Sequence, residues 1–148
     1  YHLKLGFDDI LKISSDNKIY RLNTDKFPQT PPNNNHTNSI IKFAKNWNKE
    51  KPLVIHCWCG VSRSMAVATY FLCKEDPLNI DKNIRYIRSI APHANPNKIL
   101  INLFEISLNL DNKISDLYAI YPHTQSYDCV NNFAPVTIFN INDMKGYK

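Results

Sequence analysis

No apolar run in this sequence approaches the ~20 residues of a membrane-spanning helix, and no block of five or more basic residues occurs along it. The first absence argues against a membrane protein of the helical kind. The second removes the usual footprint of a nucleic-acid binder. No internal repeat is visible, so a repeat architecture is set aside. No signal peptide precedes the four cysteines, Cys57, Cys59, Cys73 and Cys129. A chain of 148 residues can form a core without disulfide staples, so the reading is free thiols in a reducing, cytoplasmic setting. Cys57 and Cys59 form one close pair without a second pair at finger-like spacing. No metal and no cofactor are therefore expected.

What is present suits one domain with a sizeable core: 43% hydrophobic residues, 11% aromatic and 21% charged. The net charge of +5 is a moderate basic excess, suited to phosphorylated or acidic partners. An Asn-, Lys- and Ile-rich bias runs over the whole chain. The sequence opens on Tyr1, not Met, and runs straight into the alternation Tyr1-His2-Leu3-Lys4-Leu5, which reads as a domain entered in its middle.

Leu3 to Phe7 reads as a short strand ending at Asp8-Asp9, and residues 12 to 39 as loop, with Pro28, Pro31, Pro32 and an Asn run. Thr37 or Asn38 can cap a helix carrying Ile40, Ile41, Phe43, Ala44 and Trp47. The run Pro52-Leu53-Val54-Ile55-His56 predicts a strand buried on both faces, as in a parallel sheet. Helices follow over Ser64 to Cys73, through Ile80 to Ile90, and from an Asn95-Pro96 start through Ile99, Leu100, Leu103 and Ile106. A last short helix holds Ile114, Leu117, Tyr118 and Tyr121. Residues 122 to 148 are turn-rich, with a strand at Val136 to Phe139. The fold expected is α/β: a central, mainly parallel sheet flanked by helices.

The informative feature is the order of buried strand, seven-residue turn and helix around His56-Cys57-Trp58-Cys59-Gly60-Val61-Ser62-Arg63-Ser64. The amides of such a loop can converge on one point, and the helix N-terminus adds its own unpaired amides and partial positive charge. The result is an anion site. Cys57 at the first position faces the anion, and Arg63 at the last closes on it with a planar, two-pronged donor. The same groups stabilise a thiolate on Cys57. Gly60 lets the backbone come close without a Cβ in the way.

His-Cys-x2-Gly-x-Ser-Arg-Ser resembles the signature of the protein tyrosine phosphatases, specifically the dual-specificity-like branch. The stretch PLVIHCWCGVSRSMAVATYFL resembles that branch throughout, and Pro96-Asn97 with Ile99-Leu100 resembles its downstream helix start. More narrowly, FAKNW, PLVIHCW-x-G-x-SRS and HANPNKIL resemble a bacterial group of small tyrosine phosphatases. The likeness covers roughly residues 3 to 121. It departs at Cys59, where that group has Ala, and the family's first strands and helix are absent. The organisation it implies is a catalytic domain over residues 1–121, truncated at its N-terminus, and an extension over 122–148 packing on or trailing from it.

By the resemblance, Cys57 attacks phosphorus and forms a cysteinyl-phosphate. Arg63 and the amides of Trp58, Cys59, Gly60, Val61, Ser62 and Arg63 hold the phosphate oxygens, Ser64 helps Cys57 leave, and His56 orients the loop. Trp58 is either a pocket wall or a core anchor. The general acid has four candidates upstream: Asp8, Asp9, Asp16 and Asp25. Asp9 aligns best with the family's acid loop, given an insertion between Ile13 and Lys26, and Asp25 is the alternative. The substrate implied is a phosphorylated protein or other phosphomonoester, with the oligomeric state open. A pseudophosphatase that binds phosphorylated ligands without efficient turnover is the competing reading. Arsenate-reducing relatives place the loop near the chain start, and lipid phosphatases carry lysines inside it; neither pattern holds here. Cys59 is either a thiol close enough to capture an oxidised Cys57 or a small side chain filling an alanine-sized space.

Overall fold

A computed structural model describes residues 1–14 and 28–148, and six helices form among them. They are α1 (Asn34–Asn46), α2 (Arg63–Glu75), α3 (Ile80–Ile90), α4 (Lys98–Leu108), α5 (Lys113–Ile120) and α6 (Ile141–Gly146). Helix α2 lies at the centre. Ser64, Met65, Ala66, Ala68, Thr69, Tyr70, Phe71, Leu72 and Cys73 are all buried, which covers every side of it. It packs on α3 and α4; α4 packs on α1 and α5, and α3 on α5 and α6. No helix of the described residues is long and apolar enough to cross a membrane.

The expected central sheet does not form: the described residues contain no β-strand, and the α/β reading is corrected to helix packed on helix. The three segments read as strands are extended but unladdered. Leu5 and Phe7, and likewise Leu53 and Ile55, lie against the helical core at alternate positions. Their neighbours face outward, Val54 with 82% of its surface exposed. Residues 52 to 56 therefore bury one face, not two. A ladder also needs donors in regular succession. Asp8 N–H donates to the Thr30 carbonyl (2.7 Å), but Pro28, Pro31 and Pro32 remove three of the five amide hydrogens over residues 28 to 32. At 136–139, Val136 and Ile138 are exposed and only Phe139 meets the core.

Helix boundaries follow capping chemistry. Helix α1 starts earlier than Thr37 or Asn38, because Asn33 caps it: its side chain accepts from the amides of Asn35 (3.0 Å) and His36 (3.4 Å). His36 Nδ1 accepts in return from the Asn33 amide, completing a capping box with a histidine in the place of the usual Glu or Gln. Helix α4 is capped by Asn97, whose Oδ1 accepts from the Leu100 amide, two residues beyond the expected Asn95. Asn112 gives α5 no side-chain cap; Glu105 of α4 supplies one, accepting from the Ser115 amide (2.8 Å) and hydroxyl. A buried carboxylate is thereby spent on the positive end of a helix. Helix α6 went unread in the sequence. Asn140 caps it, Met144 is fully buried, and Tyr86 packs between Phe139 and Tyr147.

Phe104 joins these layers. It is fully buried in α4 and stacks on Tyr70 of α2, with ring centroids 4.5 Å apart. Phe104→Ala removes that stack and leaves a cavity between the two helices. The expected loss is about 3–5 kcal/mol of unfolding free energy, read as a lower midpoint in urea with an unchanged slope.

Candidate active site

The extended residues 52 to 56 deliver Cys57 to the N-terminal end of α2, and the loop closes over Trp58 to Ser62 before α2 begins at Arg63. Gly60 makes the turn with φ of +82°, a conformation that a side chain would strain. Its amide donates to Cys57 Sγ (3.3 Å). The Ser64 hydroxyl, buried at the start of α2, lies 3.2 Å from the same sulfur. Burial is the largest single influence on the Cys57 thiol and pushes its pKa up. The Ser64 hydroxyl, the Ser64 and Gly60 amides and the Arg63 charge together outweigh it, and the thiol sits below its ordinary value. Cys73, near the end of α2, has the opposite outcome. Burial, with Glu105 nearby, pushes its thiol up to about 12.

Arg63 donates through one terminal nitrogen to the Phe7 carbonyl (2.7 Å), and its buried Nε has no protein partner among the described residues. Cys57, Arg63 and Asp9 line one open cleft of about 1220 Å³. Asp9 is drawn to the loop by two donors: the Ser62 hydroxyl (2.7 Å) and the Asn97 side-chain amide (2.9 Å), both on Oδ1. Asp8 is engaged elsewhere, its Oδ2 accepting from the Thr30 amide (2.8 Å). Asp16 and Asp25 lie outside the described residues. His56 is exposed and makes no side-chain hydrogen bond among the described residues, so the loop-orienting bond expected of it is not there.

The loop is instead held from behind by residues far along the chain. The Asn95 amide donates to the Val61 carbonyl (3.0 Å), and the Ala134 amide to the Cys59 carbonyl (3.2 Å). His93, only 2% exposed, is buried beside the loop, with its Nε2 lacking a hydrogen-bond partner among the described residues. Burial lowers its pKa, the nearby Gly60 backbone opposing and Arg88 adding to that shift. Arg88 ties this region to the core, donating to the Ala94 and Tyr121 carbonyls while lying over the Tyr118 ring. His93, Asn97, Ala134 and Arg88 were not singled out as site residues. The sequence signal is the HANPN stretch, which carries the family resemblance and a helix start but does not by itself disclose contact with the loop.

Trp58 is not a core anchor. It is 70% exposed, edge-on to Phe133, with its indole N–H donating to the Cys129 carbonyl (3.1 Å). Cys59 is neither a free thiol nor a filler: it forms a disulfide with Cys129, 70 residues on, with Cα atoms 5.2 Å apart. The expectation of four free thiols is corrected to two, Cys57 and Cys73. The residues between the partners fold as α2 to α5 and bring the two ends together, a closure that spacing alone does not disclose. No cluster of metal-ligating side chains occurs among the described residues.

The two free thiols differ in a measurable way. At about pH 6.5, where an ordinary thiol is almost fully protonated, iodoacetamide should modify Cys57 and leave Cys73 untouched in the folded protein. The labelling rate of Cys57 should fall off only at a pH below that of free cysteine. Ser64→Ala should move that fall-off upward, and peptide mass spectrometry reads both sites.

Comparison with known proteins agrees with the loop. The pattern of the dual specificity phosphatase catalytic domain matches residues 20–107. The tyrosine-protein phosphatase yvh1 of Schizosaccharomyces pombe is 30% identical over 82 residues, covering 53% of this chain and 24% of that protein. Dual specificity protein phosphatase 12 is 33% identical over 64 residues in both Mus musculus and Homo sapiens, covering 43% of this chain and 19% of each relative. The chain thus spans about a quarter or less of the length of these relatives. No solved structure matches. With its pattern extending over more than half of the sequence and through the whole Cys57–Arg63 loop, the chain belongs to the dual specificity phosphatase catalytic-domain family.

Proposed function

We propose that the chain hydrolyses phosphomonoesters through a cysteinyl-phosphate on Cys57, acting on phosphotyrosine and, with a pocket open to shorter side chains, on phosphoserine or phosphothreonine. The observation that carries this reading is a thiol held below its ordinary pKa in one cleft with Arg63 and Asp9. The thiolate attacks phosphorus as the ester oxygen departs. Arg63 and the loop amides stabilise charge on the transferring oxygens. Asp9 protonates the leaving oxygen, and water then cleaves the phosphorus–sulfur bond, with Ser64 stabilising the departing thiolate. Asp9 is preferred to Asp8 because it faces the loop through Ser62 and Asn97, whereas Asp8 is bound to Thr30.

One observation favours the competing reading of a phosphate binder with poor turnover. Both donors to Asp9 converge on the same oxygen, which must leave its other oxygen to carry the proton. The catalytic domain over 1–121, the extension over 122–148 and a cytoplasmic location belong to the same proposal. The likeness to a bacterial group rests on the sequence motifs alone.

Turnover of aryl phosphates and phosphopeptides is the test. Cys57→Ser should abolish turnover and keep tungstate binding. Arg63→Ala should lose both, because the guanidinium contributes to holding the anion in either case. Undiminished turnover by Cys57→Ser ends the covalent mechanism.

Asp9→Asn should slow esters of basic alcohols by about 10²–10⁴-fold and activated aryl esters far less. A general acid matters most where the departing oxygen is most basic. A selective loss in Asp25→Asn in its place would reassign the acid.

A further inference from the structure

Residues 122 to 138 contribute no side chain to the helical core. They are fastened to the body at few points: Thr124 N–H to the Pro92 carbonyl, Tyr127 edge-on to His93, and a set of contacts concentrated on the phosphate loop. Asp128 folds the tip, its Oδ1 accepting from the amides of Val130, Asn131 and Asn132 (2.9 Å each). The folded tip meets three consecutive loop residues. Trp58 lies on Phe133 and bonds the Cys129 carbonyl; Cys59 is bonded to Cys129 through sulfur and to the Ala134 amide through its carbonyl; and a Cβ on Gly60 would lie 3.4 Å from Ala134. Cys129 and Val130 thereby stand beside Trp58 as one side of the cleft that holds Cys57 and Arg63.

We propose that the Cys59–Cys129 disulfide is a latch that holds residues 127–134 in place as the apolar wall of the phosphate cleft, and that a dithiol reductant releases this wall. Trp58 and Val130 offer a flat, exposed apolar surface next to the phosphate loop, a fit for the ring of an aryl phosphomonoester. The proposal rests on the phosphatase reading and adds its specificity. Chemically, a dithiol transfers two electrons to the bridge and closes on itself as a disulfide. The sulfur–sulfur bond breaks, and Cys59 and Cys129 each gain a proton. Cys57 is not consumed. Without the covalent tie, two hydrogen bonds and two aromatic contacts must hold a segment with no core side chain, and the wall is in place for only a fraction of the time. Apparent affinity for a ligand that needs the wall falls in proportion to that fraction.

Two measurements that need no turnover test this. Amide exchange at residues 127 to 134 should accelerate when the full chain is reduced with dithiothreitol, and Cys129→Ser should show the faster exchange without reductant. Unchanged exchange in both overturns the latch. In the Cys57→Ser protein, reduction should weaken phenylphosphonate binding roughly fivefold, as for a wall docked about a fifth of the time. Tungstate, held by the loop amides and Arg63, should lose clearly less. Equal losses for the two ligands, or none, overturn the wall. Wild-type turnover reads the phosphatase assignment separately. Faster exchange and weaker phenylphosphonate binding in a protein that never turns over would support the latch and sink the enzyme reading.

Discussion

A loop that turns its amide hydrogens toward one point must turn its carbonyl oxygens the other way, and those carbonyls then need donors of their own. Much of this molecule answers that demand. Val61 finds the Asn95 amide, and Cys59 the Ala134 amide. Neither of these donors is near the loop in sequence. The Cys57–Arg63 loop is thus a local motif that only a distant scaffold can complete. A loop of the same composition without residues 95 and 134 would keep Cys57 and Arg63 but not the shape that makes them useful.

The scaffold transmits this support through helix α2 and Arg88. Helix α2 is buried on every side, so its first turn, which carries Arg63 and Ser64, cannot shift without disturbing Phe71, Tyr70 and Leu72 behind it. Arg88 sits at the end of α3 and binds carbonyls on both sides, Ala94 just before the donor Asn95 and Tyr121 at the end of α5, with Tyr118 beneath its charge. Tyr118 in turn bonds Thr69 of α2 (2.7 Å). The residues that grip the loop from behind are therefore tied to the helix that grips it from in front. The cost of burying an arginine here is offset by carbonyl acceptors and an aromatic face.

What could be read from the sequence was whatever depends on neighbours in the chain. The Cys57–Arg63 loop, the helix after it, and the helices carrying Ile84 and Leu117 each announce themselves within a dozen residues. The apolar run at 52–56 misled because extended chain and sheet share one pattern, and only a partner strand distinguishes them. The start of α1 was missed because the capping box uses His36 at the position where Glu or Gln is sought. Helix α6 was missed because its six residues are too short for a period to show. The Cys59–Cys129 bond was invisible for a different reason. Cysteine count and compartment suggested free thiols, and nothing in the spacing says that α5 ends where the chain can turn back to the loop.

The placement of Asp9 shows how the two kinds of information combine. Sequence favours Asp9 only by its likeness to the family's acid loop, which needs an assumed insertion, and keeps Asp25 as the alternative. The structure adds a chemical distinction between adjacent residues. Asp8 fixes the segment, exchanging bonds with Thr30 through both backbone and side chain, and Asp9 is left to turn toward Ser62 and Asn97. Asn97 does two things at once: its carbonyl oxygen caps α4 while its amide holds Asp9. Because a side-chain amide has separate donor and acceptor ends, one residue can stop a helix and orient a carboxylate without either bond weakening the other. An aspartate in its place could still cap α4 but would repel Asp9, so the amide at position 97 is set by the loop opposite as much as by the helix it begins.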